Sequence, residues 1–364
     1  MQDGKKMKNK SGPSLYYASD KNIFDALTRN RVNSETMQDL FLKRNIIVSK
    51  KTDRESLAEY FSRLPHDLND HRSIALCLDT VARKERLTSM EFSLPTTQGQ
   101  LAKAIGVIKQ GMENSGDVVQ ISRDVDRVRI NVKYSLIDYR KSEFSQVQAR
   151  DGVIEIINID GGFNIRSTQN DFINAVREDL ILEIEKEVSN KGTRHLISLF
   201  DKTDPTQRSA FFYELMQSLP GYTVKDVNEV YVYKARPDAD SSEDDSSDDG
   251  GTHVERVFLR GNGVTRSVQL RRLLSDDNYY IVRVGWIAVE KGGHGQRYEI
   301  EARFEDAKNC TGFSFLLRGV YAADPFKGYE ISAKRRSATS GEIDEVSKAI
   351  EDHAKKLVNS LKDK

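Results

Sequence analysis

Five cations near the amino end of the chain have the types and spacing to contact a phosphate backbone: Lys43, Arg44, Lys50, Lys51 and Arg54. Lysine and arginine donate charge-assisted hydrogen bonds to phosphate oxygens, and such contacts hold a protein on nucleic acid without reading its sequence. We therefore interpret these side chains as candidate phosphate contacts, whose affinity would fall steeply as salt rises. The alternative is that they form the solvated side of an ordinary helical hairpin.

Two short amphipathic helices are expected to position these cations. Ser34 can cap the first helix, which should end near Asn45 because asparagine tolerates the left-handed conformation. Residues 46–48 are aliphatic and favour extended backbone, and Asp53 or Thr52 can cap the second helix. The expected buried faces are Met37, Leu40 and Phe41 in the first helix and Leu57, Tyr60, Phe61 and Leu64 in the second.

The arrangement of helix, extended loop and helix over residues 32–64 resembles the SAP and LEM-like small DNA-binding motifs. Lys43-Arg44-Asn45-Ile46 stands where that family has a basic pair, a glycine and an aliphatic residue. Asn45 departs from the family's glycine, and the loop from Ile47 to Asp53 is longer than is typical. The resemblance covers about a tenth of the chain. It implies binding to double-stranded nucleic acid through backbone phosphates.

A second group of cations alternates with apolar residues along a predicted strand. Arg127, Arg129 and Lys133 are interleaved with Val128, Ile130, Val132 and Tyr134. Because successive strand residues point to opposite faces, these cations should share one face of a sheet, where they could track a phosphate backbone. Arg283, Arg297 and Arg303 could extend such a surface in a later sheet. An ordinary polar sheet face is the alternative.

Carboxylates that could serve a metal-dependent nuclease lie on predicted strands. Glu155 and Asp160 fall on one predicted hairpin, while Glu299, Glu301 and Glu305 alternate along another strand. The charged solvent face of a half-buried sheet has the same pattern. The histidines and cysteines lack metal-ligand spacing, and no glycine-framed serine indicates a nucleophile. We predict no catalytic residue, no metal ligand and no cofactor, so an enzyme is the less favoured class.

Two glycine-rich segments are interpreted as hairpin turns. Gly261-Asn262-Gly263 lacks the further glycine and the following helix of a dinucleotide site. Gly292-Gly293-His294-Gly295 lacks the lysine and hydroxyl of a nucleotide P-loop. Neither segment therefore predicts phosphate binding.

Composition indicates a soluble protein. The chain has 364 residues, 38% apolar and 31% charged, with 56 acids balancing 56 bases. No run approaches the roughly 20 apolar residues of a membrane span. Cys77 and Cys310 are far apart, and no signal peptide is evident at the amino end, so we expect reduced thiols, a cytoplasmic location and no membrane partner.

The order of the patterns predicts an α+β fold, with a small N-terminal helical module followed by antiparallel sheets with packed helices. We predict a disordered basic tail at 1–19, the helical module at 20–86 and an α+β domain at 87–236. An acidic linker or loop follows at 237–252. An antiparallel sheet with a C-terminal helix should form 253–364, and a single body continuous with 87–236 is the alternative. A short helix is also expected from His195 to Phe200.

These patterns favour a non-enzymatic, sequence-nonspecific nucleic-acid-binding protein, with double-stranded DNA as its ligand. A role as an accessory component of a prokaryotic antiviral defence or mobile-element system is a hypothesis about context. A protein-interaction or scaffold subunit, including a homo-oligomer, is the competing class, and a metal-dependent nuclease is the third.

Overall fold

A computed structural model of the chain describes residues 18–29, 32–78, 84–140, 143–235, 254–292 and 294–362. Residues 1–17 of the predicted basic tail and the acidic segment at 237–252 lie outside these residues.

The described elements follow one another in an order typical of an α+β protein, with N-terminal helices preceding the sheets. The helices are α1 Asp20–Leu27, α2 Ser34–Leu42, α3 Arg54–Ser62, α4 Leu68–Leu78, α5 Gln98–Asn114, α6 Glu143–Gln146, α7 Asp171–Val188, α8 Pro205–Gln217, α9 Val268–Ser275 and α10 Ser340–Lys362. The strands are β1 Leu87–Ser93, β2 Val118–Arg123, β3 Arg127–Ile137, β4 Val147–Ile159, β5 Gly162–Thr168, β6 Thr193–Leu196, β7 Tyr222–Tyr233, β8 Arg256–Arg260, β9 Tyr280–Glu290, β10 Arg297–Asp306, β11 Thr311–Tyr321, β12 Ala323–Asp324 and β13 Glu330–Ile331. The predicted fold class is confirmed.

The chain divides into two compact units, and the division falls within β4 and within α7. The first unit takes the described residues of Met1–Arg83, Thr97–Ile154 and Glu178–Val188, and the second takes those of Lys84–Thr96, Glu155–Arg177 and Ser189–Lys364. The domain boundaries expected from the sequence at 86 and 236 stay predictions.

Helices α1 to α4 of the first unit share a hydrophobic core. Ile23, Phe41, Phe61 and Ile74 are completely or almost completely buried in it, and Phe144 of α6 closes the same cluster. The predicted buried face of α3 is correct at Leu57 and Phe61 but wrong at Tyr60, whose side chain is 53% exposed. Tyr60 instead stacks on Phe41 from the edge of the core, at 5.8 Å between ring centroids.

Side-chain caps fix the helix ends on either side of the basic loop. Asn33, rather than the predicted Ser34, caps α2 by accepting a hydrogen bond from the Thr36 amide, while Asp53 caps α3 as expected. Asn45 adopts a φ of 58°, which is the left-handed conformation predicted at the end of the first helix. The helix itself ends earlier, at Leu42.

Strands β2 and β3 of the first unit form an antiparallel pair, with β4 next to β3. The predicted alternation along β3 is confirmed, since Val128, Ile130, Val132 and Tyr134 are all buried. Val125 is not part of the strand: it lies in the connecting turn and is fully exposed.

The second unit is organised around a sheet whose strand order is β4-β5-β1-β11-β10-β9-β7-β8, with β6 also paired to β1. Side chains of α8 and α10 join the sheet's apolar face in one core that includes Phe212, Trp286, Ile300, Phe315 and Ile350. Strand alternation therefore leaves the opposite side chains of β7 to β11 on the other face.

Two local predictions in this unit are wrong. The helix predicted from His195 to Phe200 does not form, because residues 193–196 are β6 and pair with β1 in the register Phe92 to Arg194. Gly261-Asn262-Gly263 does not close a simple hairpin, since a 3₁₀ turn at Val264–Arg266 and then α9 follow it.

None of the described helices is both long enough and apolar enough to span a lipid bilayer.

Candidate nucleic-acid interface

Arg44 is held by partners within its own helical module. Its Nη2 lies 3.2 Å from Asp70 Oδ2 and also donates to the Pro65 carbonyl. The guanidinium carbon lies 5.6 Å from the centre of the Phe61 ring. Arg44 therefore ties the end of α2 to the residues around the start of α4.

Arg54 is also engaged, although no carboxylate pairs with it among the described residues. Its guanidinium donates to three carbonyls beyond the end of α1: Thr28 at 2.8 Å, Val32 at 3.1 Å and Arg29 at 3.3 Å. Carbonyls at a helix C-terminus lack partners in their own helix, and arginine has enough donors to satisfy several of them. Arg54 thereby joins α3 to α1.

The three predicted lysines of this region remain open to solvent. Lys43, Lys50 and Lys51 are exposed, and none makes an ion pair within the described part of the chain. Lys43 lies in the turn after α2, and Lys50 and Lys51 lie in the turn before α3. The helix caps and the two arginines thus hold a scaffold from which three ammonium groups project.

The predicted cations of β3 share one face of their strand. In the pairing with β2, Arg129 stands opposite Ser122, Asn131 opposite Gln120 and Lys133 opposite Val118. Arg127 and Arg129 are half-buried, whereas Lys133 is exposed. The arrangement is a polar, cationic strip on the side of the strand away from its buried residues.

Glu299, Glu301 and Glu305, which the sequence offered as carboxylates for a nuclease, form ion pairs with arginines. We call this group the arginine–glutamate face, and its members are Glu229, Glu299, Glu301 and Glu305 with Arg86, Arg260, Arg283, Arg303, Arg318 and Arg335. Six cations against four carboxylates leave a formal surplus of two positive charges on this face.

Arg318 is the centre of this arrangement. It contacts Glu229 at 2.6 Å, Glu301 at 2.8 Å and Glu299 at 3.3 Å. A register shift in the pairing of β10 with β11 places Gly319 opposite Glu299 and Leu317 opposite Ile300, so Arg318 occupies the bulge between them. Its hydrogen bond is the main reason that the pKa of Glu229 is lowered, an effect that burial partly opposes.

The other predicted residues of this unit have mixed outcomes. Arg283 and Arg303 belong to the arginine–glutamate face, while Arg297, at the start of β10, makes no ion pair with a described residue. Glu155 is buried and lies 3.0 Å from Arg166, and Asp160 is exposed in the turn after β4. Among the described residues, no three His, Cys, Asp or Glu side chains are grouped so that they could hold a metal ion.

A cavity of about 360 Å³ lies at the end of β8. It is lined by Arg260, Arg266, Ser267, Gln269 and the turn at 261–263. The sequence analysis did not predict this cavity, because part of its wall comes from the start of α9, a helix that was not predicted.

No family model matches this chain, and no curated protein is significantly similar to it.

Sequence reasoning also missed Phe258, Arg260, Arg318 and Arg266. Alternation in Arg256–Arg260 could have placed Phe258 and Arg260 on one face of a strand. Arg318 could not have been identified in this way, because its position depends on a bulge.

Proposed function

We propose that the protein binds double-stranded DNA nonspecifically through backbone phosphates, without catalysing a reaction. The observation that carries the proposal is the exposure of Lys43, Lys50 and Lys51 at the two ends of one basic loop, with no competing carboxylate among the described residues. Arg44 and Arg54 support the site indirectly, since they hold α2 and α3 in place. Lys133, which is exposed on β3, offers a further phosphate contact in the same unit.

The expected mechanism is electrostatic. Each ammonium group that neutralises a phosphate releases condensed counterions, so the logarithm of the affinity should fall linearly with the logarithm of the salt concentration. Three such contacts on duplex DNA should contribute about 2.7 to the magnitude of that slope, at about 0.9 for each. No base contact is required, and affinity should not depend on sequence.

The test is fluorescence anisotropy with labelled duplexes of two unrelated sequences, over a range of salt. We expect the triple variant Lys43→Glu, Lys50→Glu, Lys51→Glu to bind both duplexes more weakly, with a salt slope smaller in magnitude by about 2.7. The matched control changes Lys103, Lys109 and Lys186 to glutamate, because these lysines of the same unit already pair with acids. Equal slopes for the two triple variants would overturn the proposal.

A protein-binding role is the second candidate, and exposed apolar side chains favour it. Leu42, Ile47 and Leu76 of the helical module are 61%, 90% and 72% exposed. If the duplex experiment fails, a second copy or another protein is the better ligand for this surface. Sedimentation of the parent and of an Ile47→Asp variant over a range of protein concentration would reveal self-association. The role in antiviral defence or in a mobile element stays a hypothesis.

A further inference from the structure

The turn that leads out of β8 is pinned in place and forms the wall of a cavity. The Gly263 amide donates to Asp226 Oδ1 at 2.8 Å, and the Gly261 amide donates to the Asn228 carbonyl at 3.1 Å. Gly263 has a φ of 64°, a conformation that favours glycine. The cavity of about 360 Å³ is within the range of sites for small ligands.

Two arginines in the cavity wall carry charge that no carboxylate fully compensates. Arg260 is 73% exposed and lies 3.7 Å from Glu229, but Glu229 already accepts closer contacts from Arg318 and Arg283, at 2.6 and 3.1 Å. Arg266 is exposed and forms no ion pair with a described residue. The one carboxylate bonded to the turn, Asp226, accepts from the Gly263 amide. The cavity is therefore suited to an anion.

An exposed aromatic ring lies beside this cavity on the same strand. Phe258 is 42% exposed and precedes Arg260 by two residues, so both side chains are on one face of β8. Behind it, the Tyr231 ring stacks at 4.2 Å between centroids and 25° between planes. The Arg283 guanidinium carbon lies 4.7 Å from the Tyr231 ring, so the aromatic pair is supported from within the arginine–glutamate face.

These features match the two parts of a nucleotide. Phe258 and Arg260 are two positions apart on β8, which corresponds to roughly 6 to 7 Å along a strand. A base and its own phosphate can span this distance. Stacking on an aromatic side chain is available only to bases that are free of a duplex, and arginine-rich grooves beside such rings follow the backbone of single strands.

We propose that Phe258 and the cavity bind a nucleotide unit of single-stranded nucleic acid, with the base stacked on the exposed Phe258 ring and its phosphate held by Arg260 and Arg266. This site lies in the second unit and is independent of the lysines to which we assign duplex binding. The surplus positive charge of the arginine–glutamate face draws the rest of the strand toward the site.

The test is anisotropy with a labelled single-stranded oligothymidine and two variants that affect different parts of the site. Phe258→Leu keeps an apolar side chain but removes the ring, so affinity should fall about tenfold with an unchanged salt slope. Arg266→Glu removes a phosphate contact, so affinity should fall and the slope should become smaller by about 0.7. Arg272→Glu is the control, because Arg272 is exposed on α9, which follows the turn that holds Arg266, and does not line the cavity. Far-UV circular dichroism and thermal unfolding check that each variant is folded.

Competitors identify the source of the nucleotide. An unlabelled oligothymidine should displace the probe far better than thymidine monophosphate, and inorganic phosphate should displace it least. Displacement by the monophosphate as effective as by the oligomer would overturn the assignment to single strands in favour of a free nucleotide. If Phe258→Leu and Arg266→Glu both bind as Arg272→Glu does, the site itself is wrong.

Failure of the single-strand proposal can be distinguished from failure of the duplex proposal. The lysine triple variant should lose duplex affinity while retaining the effect of Phe258→Leu on the oligothymidine. Loss of that effect in the lysine variant would contradict the independence of the two sites.

Discussion

At the scale of single residues, arginines and lysines of the helical module have different roles. Arg54 reaches three backbone carbonyls and Arg44 reaches a carbonyl and a carboxylate, whereas Lys43, Lys50 and Lys51 stay in solvent. The guanidinium has five donors in a planar group and can satisfy several acceptors together, while an ammonium on a flexible stem is strongly hydrated. The predicted phosphate contacts thus separate into cations that hold the fold and cations that face solvent.

Replacing Arg54 should lower stability without a direct loss of phosphate contacts. In Arg54→Met the carbonyls of Thr28 and Val32 lose their donor, so the free energy of unfolding should fall by about 1 to 3 kcal/mol. Urea denaturation followed by circular dichroism measures the change. Lys51→Met is the control, and it should stay within about 0.5 kcal/mol of the parent because Lys51 is exposed. Equal stability of the two variants would contradict the structural role of Arg54.

At the scale of elements, the start of α10 shows how one carboxylate can fix a helix end. The Glu342 carboxylate accepts from the Thr339 amide at 2.8 Å, and the Glu342 amide donates to Thr339 Oγ1 at 3.3 Å. This reciprocal pair is a capping box. Arg336 adds two hydrogen bonds to the same carboxylate, at 2.6 and 2.8 Å.

Because of these bonds, the free energy of unfolding should depend on pH through the ionisation of Glu342. Hydrogen bonds from Arg336, against an opposing effect of burial, lower the pKa of Glu342 from its ordinary 4.5 to about 2. The folded state therefore gains stability from ionised Glu342 above pH 4.5, and loses it as the pH falls from 4.5 towards 2.

The Glu342→Gln variant tests this linkage. The parent should be more stable than the variant at neutral pH, and the two should converge as the pH falls through that range. Urea denaturation at a series of pH values gives the difference in free energy of unfolding between the parent and Glu342→Gln. The contributions of all other titrating groups cancel in this difference. Glu345→Gln, an exposed change on the same helix, is the control. A difference between parent and Glu342→Gln that does not vary with pH would be inconsistent with the lowered pKa.

At the scale of the whole molecule, buried charges join segments that are far apart in the sequence. Within the second unit, Arg166 of β5 contacts Glu351 of α10 at 2.6 Å and Glu155 of β4 at 3.0 Å. The three side chains are each 1 to 4% exposed. Charges removed from water in this way are tolerated only because each has a partner.

Removing Arg166 from this cluster should lower the free energy of unfolding more than removing one partner of an exposed ion pair. Arg166→Met leaves Glu351 buried without its cation, so the free energy of unfolding should fall by about 3 to 5 kcal/mol. Arg63→Met, which removes an exposed pair with Glu59, should change it by less than about 1 kcal/mol. Adding Glu351→Gln to Arg166→Met should recover part of the loss, because one uncompensated charge is removed. Additive losses would show that Arg166 and Glu351 do not stabilise each other.

Much of the local structure could be predicted from neighbouring residues. Asn45 takes the left-handed conformation, Asp53 caps α3, and Thr97 begins α5 with a capping box. The alternation along β3 correctly assigned its buried face. Each of these features depends on contacts within a few residues, which the order of residue types fixes.

The sequence by itself determined the α+β class, the two helices on either side of the basic loop near the amino end, and the buried face of β3. Only the tertiary structure decided that residues 193–196 pair as a strand, that Arg44 and Arg54 have partners while three lysines remain in solvent, and that Phe258 stands beside a cationic cavity. The periodicity of the sequence predicts on which face of a helix or strand a side chain lies. It does not predict which atoms from distant parts of the chain contact that side chain. The availability of a cation for a ligand depends on those atoms, because an arginine bonded to a buried carbonyl must lose that bond before it can hold a phosphate.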